Sequence, residues 1–223
     1  FVDYNSKMAI TCAAKERGIP VTEMQHGLMV SEDIIYHFPT VKEGGYRYFP
    51  DKFILWNDLW RKGSKLPIAE ENIIIRENDF LKVKKSRYKN ISKKKNTILI
   101  SSQYGLTNEI AKDVLENLPL LKEYEIIYKL HPVEYSVFKT NELLQTLSKE
   151  PNVFFPDSKD DLHKFLAEAE IFIGVFSFVI FEAMEFGCKM FLLDLPGVSM
   201  VKFLVDNKHA VLIKSIKNIK ENL

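Results

Sequence analysis

Two short motifs in the second half of the chain place polar side chains where an apolar run ends. The first is Lys-Leu-His-Pro at residues 129–132, and the second is Val-Phe-Ser at residues 175–177, with Glu182 five residues further on. An imidazole and a hydroxyl can donate to phosphate oxygens, whereas a carboxylate accepts from hydroxyl groups such as those of a ribose. Because ligands of open parallel sheets bind outside the carboxyl ends of the strands, the two motifs predict half of a ligand pocket.

The proline after His131 defines the end of the strand that carries it. Pro132 disfavours the α conformation at the preceding residue, so the apolar run of residues 125–130 is predicted to end in an extended turn. A histidine in that turn either caps the next segment or donates to a phosphate oxygen. In the second case Lys129, on the same strand, would add positive charge.

Ser177 precedes a predicted helix of residues 178–186. Its hydroxyl either caps that helix or joins the free N–H groups and the positive dipole end in holding an anion. Since the dipole contributes only ~0.3–1 kcal/mol, a phosphate would also need His131 or Lys129. Glu182 lies in this otherwise apolar helix, where a buried carboxylate requires a partner, either a ribose diol or a cationic side chain.

The first strand of this half ends in Ser-Ser-Gln-Tyr-Gly at residues 101–105. Small hydroxyls and a glycine before a helix favour contact with a phosphate, so Ser102 and Gln103 are predicted to line the same pocket. No Gly-Lys-Ser/Thr follows, and Gly-x-Gly-x-x-Gly occurs nowhere in the chain. These absences argue against P-loop nucleotide hydrolysis and against ordinary NAD binding.

A third polar motif, Glu-Met-Gln-His-Gly at residues 23–27, lies in the first half. His26 follows a predicted strand, and an imidazole titrates near neutral pH, which suits a general base worth about 10²–10⁴ in rate. Glu23 either orients that histidine or acts as a carboxylate in its own right. The remaining three histidines lack such a context and are predicted to lie at the surface or in loops: His37, His163 and His209.

Composition and motifs exclude several classes of protein. The 223 residues carry a net charge of +1, so the overall charge does not favour the binding of nucleic acid or of an acidic substrate. Two cysteines are too few for a disulfide framework, and the longest apolar stretch, residues 171–181, is too short to span a bilayer. No metal site is predicted, because there is no His-x-x-x-His or Cys-x-x-Cys pair and no Asp-x-Asp at a strand end. With no signal peptide in view, a cytoplasmic location is predicted.

Strands that alternate with helices predict an α/β fold built on parallel sheets. In the first half, a helix is predicted at residues 6–17, a strand at 19–24 and a long loop at 31–47. A strand at residues 51–56, a short helix and a strand at 72–76 are predicted to follow. From residue 97 the alternation becomes regular, and near-continuous apolar strands indicate a sheet covered on both faces. The chain is therefore predicted to comprise part of an N-terminal lobe (1–81), a basic linker (82–96) and a Rossmann-like lobe (97–223). Since the chain starts at Phe1 in what resembles the middle of a fold, we expect a fragment whose N-terminal lobe is incomplete.

The segment of residues 82–95 carries eight Lys or Arg and no acid. Such a run is either a solvated linker between lobes or a surface attracted to an anionic membrane face, at roughly 1 kcal/mol per basic residue near that face. Nucleic acid is a poorer fit, because only Tyr88 interrupts the run with an aromatic ring on which a base could stack.

Together, the motifs resemble those of bacterial glycosyltransferases of the two-lobed GT-B fold that build capsules and other surface polysaccharides. The similarity is to the polysialyltransferase and teichoic-acid polymerase groups. It is carried by three motifs in the same order and by a late loop: Glu23-Met-Gln-His-Gly27, Lys129-Leu-His-Pro132, Gly174-Val-Phe-Ser177 with Glu182 and Gly187, and Asp194-Leu-Pro-Gly197.

The resemblance implies that His131 and Ser177 bind the phosphates of a nucleotide-activated donor, with Glu182 near its ribose. It implies that His26 is the base, although Gln25 replaces the tryptophan of the teichoic-acid polymerases, and Glu23 is the alternative by loose comparison with the sialyltransferases. The implied activity is metal-independent, inverting transfer of a sugar or polyol phosphate from a CMP-, CDP- or UDP-linked donor, with no cofactor. The acceptor would be a polysaccharide or a lipid-linked glycan, and the basic segment would contact the inner face of the plasma membrane.

Two other functions fit the same motifs. A UDP-sugar 2-epimerase shares the two-lobed fold and a similar serine–glutamate helix, and it would act on a UDP-sugar without any acceptor. A non-catalytic relative would bind nucleotide as a partner subunit in a polysaccharide assembly complex.

Overall fold

The computed structural model describes residues 6–30, 32, 35–38, 40 and 45–223, apart from the side chains of residues 6 and 7. The chain divides into two compact units, Phe1–Lys82 and Val83–Leu223. The predicted loop of residues 31–47 lies partly outside the described residues.

The first unit is built on a parallel sheet of three short strands in the order β1-β2-β3. Its elements are α1 (Ser6–Glu16), β1 (Thr22–Met24), β2 (Lys52–Leu55), α2 (Trp60–Gly63) and β3 (Ile73–Ile75). The helix and the three strands predicted from the sequence are confirmed, each within a few residues of its predicted ends. Phe53 and Leu55 of the central strand are fully buried, as is Trp60, so β2 lies in the core of this unit.

The second unit is a six-stranded parallel sheet with helices on its faces. The helix α3 (Asp79–Arg87) leads into it from the preceding unit. Its strands and further helices follow in the order β4 (Lys94–Ser101), α4 (Thr107–Asn117), β5 (Glu125–Lys129), α5 (Glu142–Leu147), β6 (Val153–Phe154), α6 (Leu162–Glu168), β7 (Ala169–Gly174), α7 (Val179–Glu185), β8 (Lys189–Leu193), α8 (Lys202–Asp206) and β9 (Val211–Ile213). The predicted α/β fold with parallel sheets is confirmed.

The strand order β6-β5-β4-β7-β8-β9 determines where a ligand can bind. The chain builds outward from β4 through β5 and β6, then returns to the other side of β4 for β7, β8 and β9. Open α/β sheets bind ligands outside the carboxyl ends of the strands, at the point where the order reverses. Because β5 and β7 both flank β4, the turns that carry His131 and Ser177 lie on either side of the β4 turn at this edge.

Apolar side chains cover both faces of this sheet. Ile100 and Tyr128 on one face are fully buried and belong to the same core cluster as Ile110 of α4. Leu99 and Phe172, which alternate with them on the opposite face, are fully buried as well. Burial on both faces explains the near-continuous apolar strands of the sequence. Among the described residues, no helix combines the length and the apolar character needed to cross a membrane.

Most of the basic segment of residues 82–95 is exposed, and its two ends belong to regular elements. Its first part belongs to α3, and its end is the start of β4. Three of its lysines pair with acids of the second unit: Lys84 with Asp161 at 2.7 Å, Lys85 with Glu185 at 2.9 Å and Lys94 with Glu168 at 3.0 Å. Because those acids come from much later in the chain, the local composition does not reveal them.

The composition of residues 134–148 predicts a single helix, but the structure has two separate segments here. Pro132–Ser136 forms a 3₁₀ helix, and α5 begins only at Glu142. The side chain of Asn141 starts the second segment by accepting from the N–H of Leu144 at 3.0 Å. Asparagine favours this capping role over a helix interior, which explains the break.

Gly197 occupies a conformation that an L side chain rarely adopts. Its φ is 90°, and a Cβ at this position would lie 2.5 Å from Cε1 of Phe176, the neighbour of Ser177. We expect Gly197→Ala to lower the free energy of unfolding by about 1–2 kcal/mol through backbone strain, and further through the clash with the ring. Thermal denaturation would measure the loss.

Gly187→Ala is the matched control for this prediction. Gly187 also has a positive φ, of 73°, but a Cβ there would meet nothing within 4 Å. Equal losses in the two variants would contradict a role for the Phe176 contact.

Candidate functional site

A buried carboxylate joins the turns that follow β4 and β5. Glu134 is 0% exposed. Its Oε2 accepts from the backbone N–H of His131 at 2.6 Å, and its Oε1 accepts from the hydroxyl of Ser102 at 2.8 Å and from that of Thr107. These three donors offset the cost of burying the negative charge. The end of β4, the end of β5 and the start of α4 are therefore tied to one carboxylate.

His131 has the extended conformation that Pro132 predicts, with φ −63° and ψ 145°. Its Nδ1 accepts from the N–H of Val133 at 3.3 Å, and it forms a capping box with Glu134. A neutral imidazole that accepts at Nδ1 carries its proton on Nε2. Capping and phosphate binding are thus compatible, because they use different ring nitrogens.

Ser177 is half-buried, and its Oγ lies 3.4 Å from Oγ of Ser101. The alternative in which Ser177 caps the helix is wrong, since the N-cap position of α7 is Phe178, which makes no side-chain capping bond. Because α7 has only seven residues, its dipole offers little to an anion. The feature at this turn is instead a pair of hydroxyls from the ends of β4 and β7.

Ser102 and Gln103 share the turn after β4 but have different surroundings. Ser102 is buried, and its hydroxyl is engaged by Glu134. Gln103 is half-buried, and its Oε1 is a buried oxygen without a hydrogen-bond partner in the described part of the chain. Leaving such a group unpaired costs about 1–3 kcal/mol, a cost that a donor on a ligand would remove.

Lys129 is bound to Tyr135. Its Nζ donates to the Tyr135 hydroxyl at 2.5 Å, and that hydroxyl donates to the carbonyl of Pro156 at 2.9 Å. Burial lowers the pKa of the Lys129 amine, and the nearby Asp160 and Asp157 oppose this only in part. Burial and the same two acids raise the pKa of Tyr135 to about 12. A phosphate would therefore compete with Tyr135 for the lysine.

Glu182 has a protein partner in His163. It is 8% exposed, and its Oε1 lies 3.1 Å from Nε2 of His163. His163 is itself only 7% exposed, and its Nδ1 lies 3.0 Å from Oδ1 of Asp161. The prediction that His163 is a surface or loop residue is wrong, because α6 and α7 bring a carboxylate to each of its ring nitrogens.

The network continues from Asp161 to the region of α3. Oδ2 of Asp161 accepts from Nζ of Lys84 at 2.7 Å and from the hydroxyl of Tyr88 at 2.9 Å. Burial alone would raise the pKa of Asp161, but the donors Lys84, Tyr88 and His163 hold it well below its usual range. Burial would likewise lower the pKa of His163, yet Glu182 and Asp161 outweigh it and raise that pKa. The two carboxylates thus favour the protonated form of the His163 ring more than water does.

In the first unit, a tyrosine joins His26 to Glu23. Nε2 of His26 lies 2.9 Å from the hydroxyl of Tyr36, and that hydroxyl donates to Oε1 of Glu23 at 2.9 Å. Glu23 and Tyr36 are buried, whereas His26 is exposed. Since the single hydroxyl proton of Tyr36 goes to Glu23, His26 donates through Nε2, and in the neutral ring Nδ1 holds the lone pair. Glu23 thus orients His26 through Tyr36 rather than directly.

Gln25 holds the turn that presents His26. Gln25 is 2% exposed, and its Oε1 accepts from the N–H of Trp56 at 3.1 Å. Its side-chain amide donates to the carbonyl of Gly27 at 3.0 Å. The end of β1 is thereby fastened to the end of β2.

Several residues of these networks lie outside the predicted site, among them Tyr36, Glu134 and His163. Glu134 carries a local signal, because it follows His131 by three residues, which is the spacing of a capping box. Tyr36 lies in a segment without hydrophobic periodicity, and the partner of His163 at Glu182 comes from another helix. Neither of those two carries a local signal.

Removing Glu134 should loosen the turns after β4 and β5. We expect Glu134→Ala to lower the free energy of unfolding by about 3 kcal/mol, because it leaves three buried donors without an acceptor. Glu134→Gln should cost less, since an amide oxygen can still accept. Urea denaturation at neutral pH would measure both losses.

The control for this prediction is Glu142→Ala, which removes an exposed carboxylate from the same stretch of chain. A loss in Glu134→Ala no greater than that in Glu142→Ala would show that the buried carboxylate does not hold the turns.

The charge of His163 should make its contribution to stability depend on pH. A histidine whose pKa is raised by folding stabilises the fold fully below its unfolded pKa of about 6.5, and this contribution is lost as pH rises through the folded-state value. We therefore expect His163→Gln to be more destabilising near about pH 6 than near about pH 9. Thermal denaturation of wild type and variant at both pH values measures the difference, with the exposed His209→Gln as control. A pH-independent loss would mean that His163 is neutral.

No family model matches the chain, and a comparison with curated proteins finds no match. Solved structures do match. The UDP-GlcNAc 2-epimerase from Methanocaldococcus jannaschii has a TM-score of 0.62 at 16% identity, over 98% of this chain and 66% of that one. The UDP-GlcNAc 2-epimerase from Neisseria meningitidis bound to UDP-GlcNAc has a TM-score of 0.61 at 19% identity. The match covers 99% of this chain and 64% of that one. The wall teichoic acid polymerase TagF has a TM-score of 0.48 at 12% identity, and the match covers 92% of this chain and 56% of that one.

This chain therefore spans 66% and 64% of the length of the two epimerases. At such identities the likeness shows the fold. The chain has a GT-B-like α/β fold, with two Rossmann-like lobes built on parallel sheets.

Proposed function

We propose that the chain is the site-bearing part of a nucleotide-sugar enzyme and that its second unit binds the donor at the carboxyl ends of β4, β5 and β7. The observation that carries the proposal is the placement of His131 and Ser177 on either side of β4, where the strand order reverses. Fold neighbours that act on UDP-GlcNAc, one of them solved with it bound, support a nucleotide sugar as the ligand class.

Each residue at this edge has a chemical role in that proposal. His131 donates from Nε2 to a phosphate oxygen, and the hydroxyls of Ser177 and Ser101 lie at the neighbouring turn. The unpaired Oε1 of Gln103 accepts from a donor group of the ligand. Glu182 accepts from the hydroxyls of the ribose. Ser102 contributes indirectly, because it holds Glu134 and through it the His131 turn.

The proposed reaction is metal-independent, inverting transfer of a sugar. The acceptor hydroxyl gives its proton to His26 as its oxygen attacks the anomeric carbon of the donor, and the bond from that carbon to the phosphate oxygen breaks. The nucleotide leaves with the electron pair. Hydrogen bonds from His131 and Ser177 stabilise the charge that develops on its phosphate, which is usually the largest catalytic term. Attack opposite the leaving group inverts the configuration.

The acceptor in this proposal is a polysaccharide or a lipid-linked glycan, and the basic segment of residues 82–95 contacts an anionic membrane face. Five of the eight basic side chains pair with acids: Lys82, Lys84, Lys85, Arg87 and Lys94. Lys93 donates to the carbonyl of Leu166, so that contact depends mainly on Lys89 and Lys95. Cosedimentation with vesicles of anionic lipid, compared with neutral ones, measures it. Equal binding to both would contradict an electrostatic contact.

A UDP-sugar 2-epimerase is the second candidate, and the UDP-GlcNAc 2-epimerases among the fold neighbours favour it. Incubation of the chain with UDP-GlcNAc alone separates the two enzymes, because epimerisation needs no acceptor and transfer does. Formation of the C2 epimer would overturn the transferase assignment. Nucleotide binding with neither activity, in the presence of acceptors, would favour a non-catalytic subunit.

Loss of the His131 side chain should weaken nucleotide binding. We expect His131→Ala to raise the dissociation constant about ten- to hundredfold, because a hydrogen bond to a charged group contributes about 1.5–3 kcal/mol. A thermal-shift screen with CMP, CDP, UDP and GDP identifies the nucleotide that stabilises the wild type most. Calorimetric titration then measures its affinity for wild type and variant.

The matched control is His209→Ala, which removes an exposed histidine from the same unit. Two results would contradict the donor site: no stabilisation of the wild-type chain by any of these nucleotides at millimolar concentration, or equal affinity in His131→Ala and wild type.

A further inference from the structure

The two oxygens of the Glu182 carboxylate have different environments. Oε1 lies 3.1 Å from Nε2 of His163, whereas Oε2 makes no hydrogen bond to the residues that the structure describes. Glu182 as a whole is 8% exposed, so it is not sealed from a ligand. Oε1 is therefore held in place, and Oε2 is available to accept a hydrogen bond from a ligand.

The network of Glu182, His163 and Asp161 lies on the ligand side of the sheet. His163 is the second residue of α6, which follows β6, and Glu182 is the fourth residue of α7, which follows β7. Helices that follow strands of a parallel sheet begin at its carboxyl edge, and this is the edge where open sheets bind ligands.

The ring of His163 is held on both sides. Asp161 Oδ1 lies 3.0 Å from its Nδ1, and the other oxygen of Asp161 is occupied by Lys84 and Tyr88 at 2.7 and 2.9 Å. Rotation of the ring would break both of its hydrogen bonds within a buried site, which is costly. The position of the ring, and with it that of Glu182 Oε1, is therefore tightly defined.

We propose that His163 is a positioning residue for nucleotide recognition: it orients the Glu182 carboxylate to accept the 2′- and 3′-hydroxyls of the donor ribose. This inference rests on the proposed function and deepens it, because it makes ribonucleotides rather than 2′-deoxyribonucleotides the ligand class. Without the donor that His163 supplies, Glu182 is a buried carboxylate with no hydrogen bond in the protein, and it rotates or takes up a proton. Either change weakens its bonds to the ribose.

Asparagine and glutamine at position 163 form a matched pair of variants. The side-chain amide nitrogen of asparagine replaces Nδ1, so His163→Asn keeps a donor towards Asp161 and loses the one towards Glu182. The amide nitrogen of glutamine replaces Nε2, so His163→Gln keeps the donor towards Glu182. Calorimetric titration of UDP, 2′-deoxy-UDP, CDP and 2′-deoxy-CDP into the full chain measures the preference for the ribose in each protein.

The wild type should prefer the ribonucleotide by about tenfold or more, the value of one hydrogen bond to a charged group. His163→Gln should keep most of this preference. His163→Asn should lose it while its affinity for the 2′-deoxynucleotide stays unchanged. A purely structural role would instead lower the affinities for both nucleotides together.

A preference that persists in His163→Asn would overturn the inference and leave the proposed function standing. A wild type that binds nucleotide without preferring the ribose would do the same. A wild type that binds none of the four nucleotides would overturn both the inference and the proposed function.

If His163→Asn does not fold, Asp161→Asn decides the question. Asparagine caps a helix as well as aspartate does, so α6 should persist while the ring of His163 loses its charged partner. The ribose preference should then fall by a smaller factor than in His163→Asn, and an unchanged preference would overturn the inference.

Discussion

The buried carboxylate of Glu134 is the interaction on which the ligand edge of the second unit depends. A charge in a dry core is costly unless it is fully hydrogen-bonded, and here its donors come from three elements. A buried polar group left unpaired costs more than a completed hydrogen bond contributes on balance. The turns after β4 and β5 therefore cannot move apart without a large loss. The place of His131 is determined by this constraint as well as by the strand that precedes it.

In two further buried carboxylates, Glu23 and Glu182, one oxygen is held by a side chain, and the two partners differ in kind. Glu23 accepts from the hydroxyl of Tyr36, which also lies 2.9 Å from Nε2 of His26. Glu182 is paired with His163, whose pKa is raised by Glu182 and Asp161. A rise of pH through the pKa of His163 therefore changes the charge beside Glu182.

The parts of the fold that follow from local physics could be predicted from the sequence. Continuous apolar runs separated by helical segments predict a parallel sheet, and Pro132 forces the conformation at His131. The parts that could not be predicted depend on contacts between residues that are distant in the sequence. Lys84 and Asp161 are 77 positions apart, so the sequence of the basic run does not reveal this ion pair. His163 gains its role from α7, and Asn141 breaks a helix whose composition alone would continue it.

Transfer and epimerisation both need a bound nucleotide, but they place different demands on the first unit. Deprotonation of an acceptor hydroxyl requires a single base. Inversion of a carbon by removing a proton and returning it from the other side requires groups on both faces of the sugar. Nε2 of His26 lies 2.9 Å from the hydroxyl of Tyr36, which donates to the buried Glu23. One histidine oriented through a buried carboxylate supports the single proton transfer of the proposed reaction.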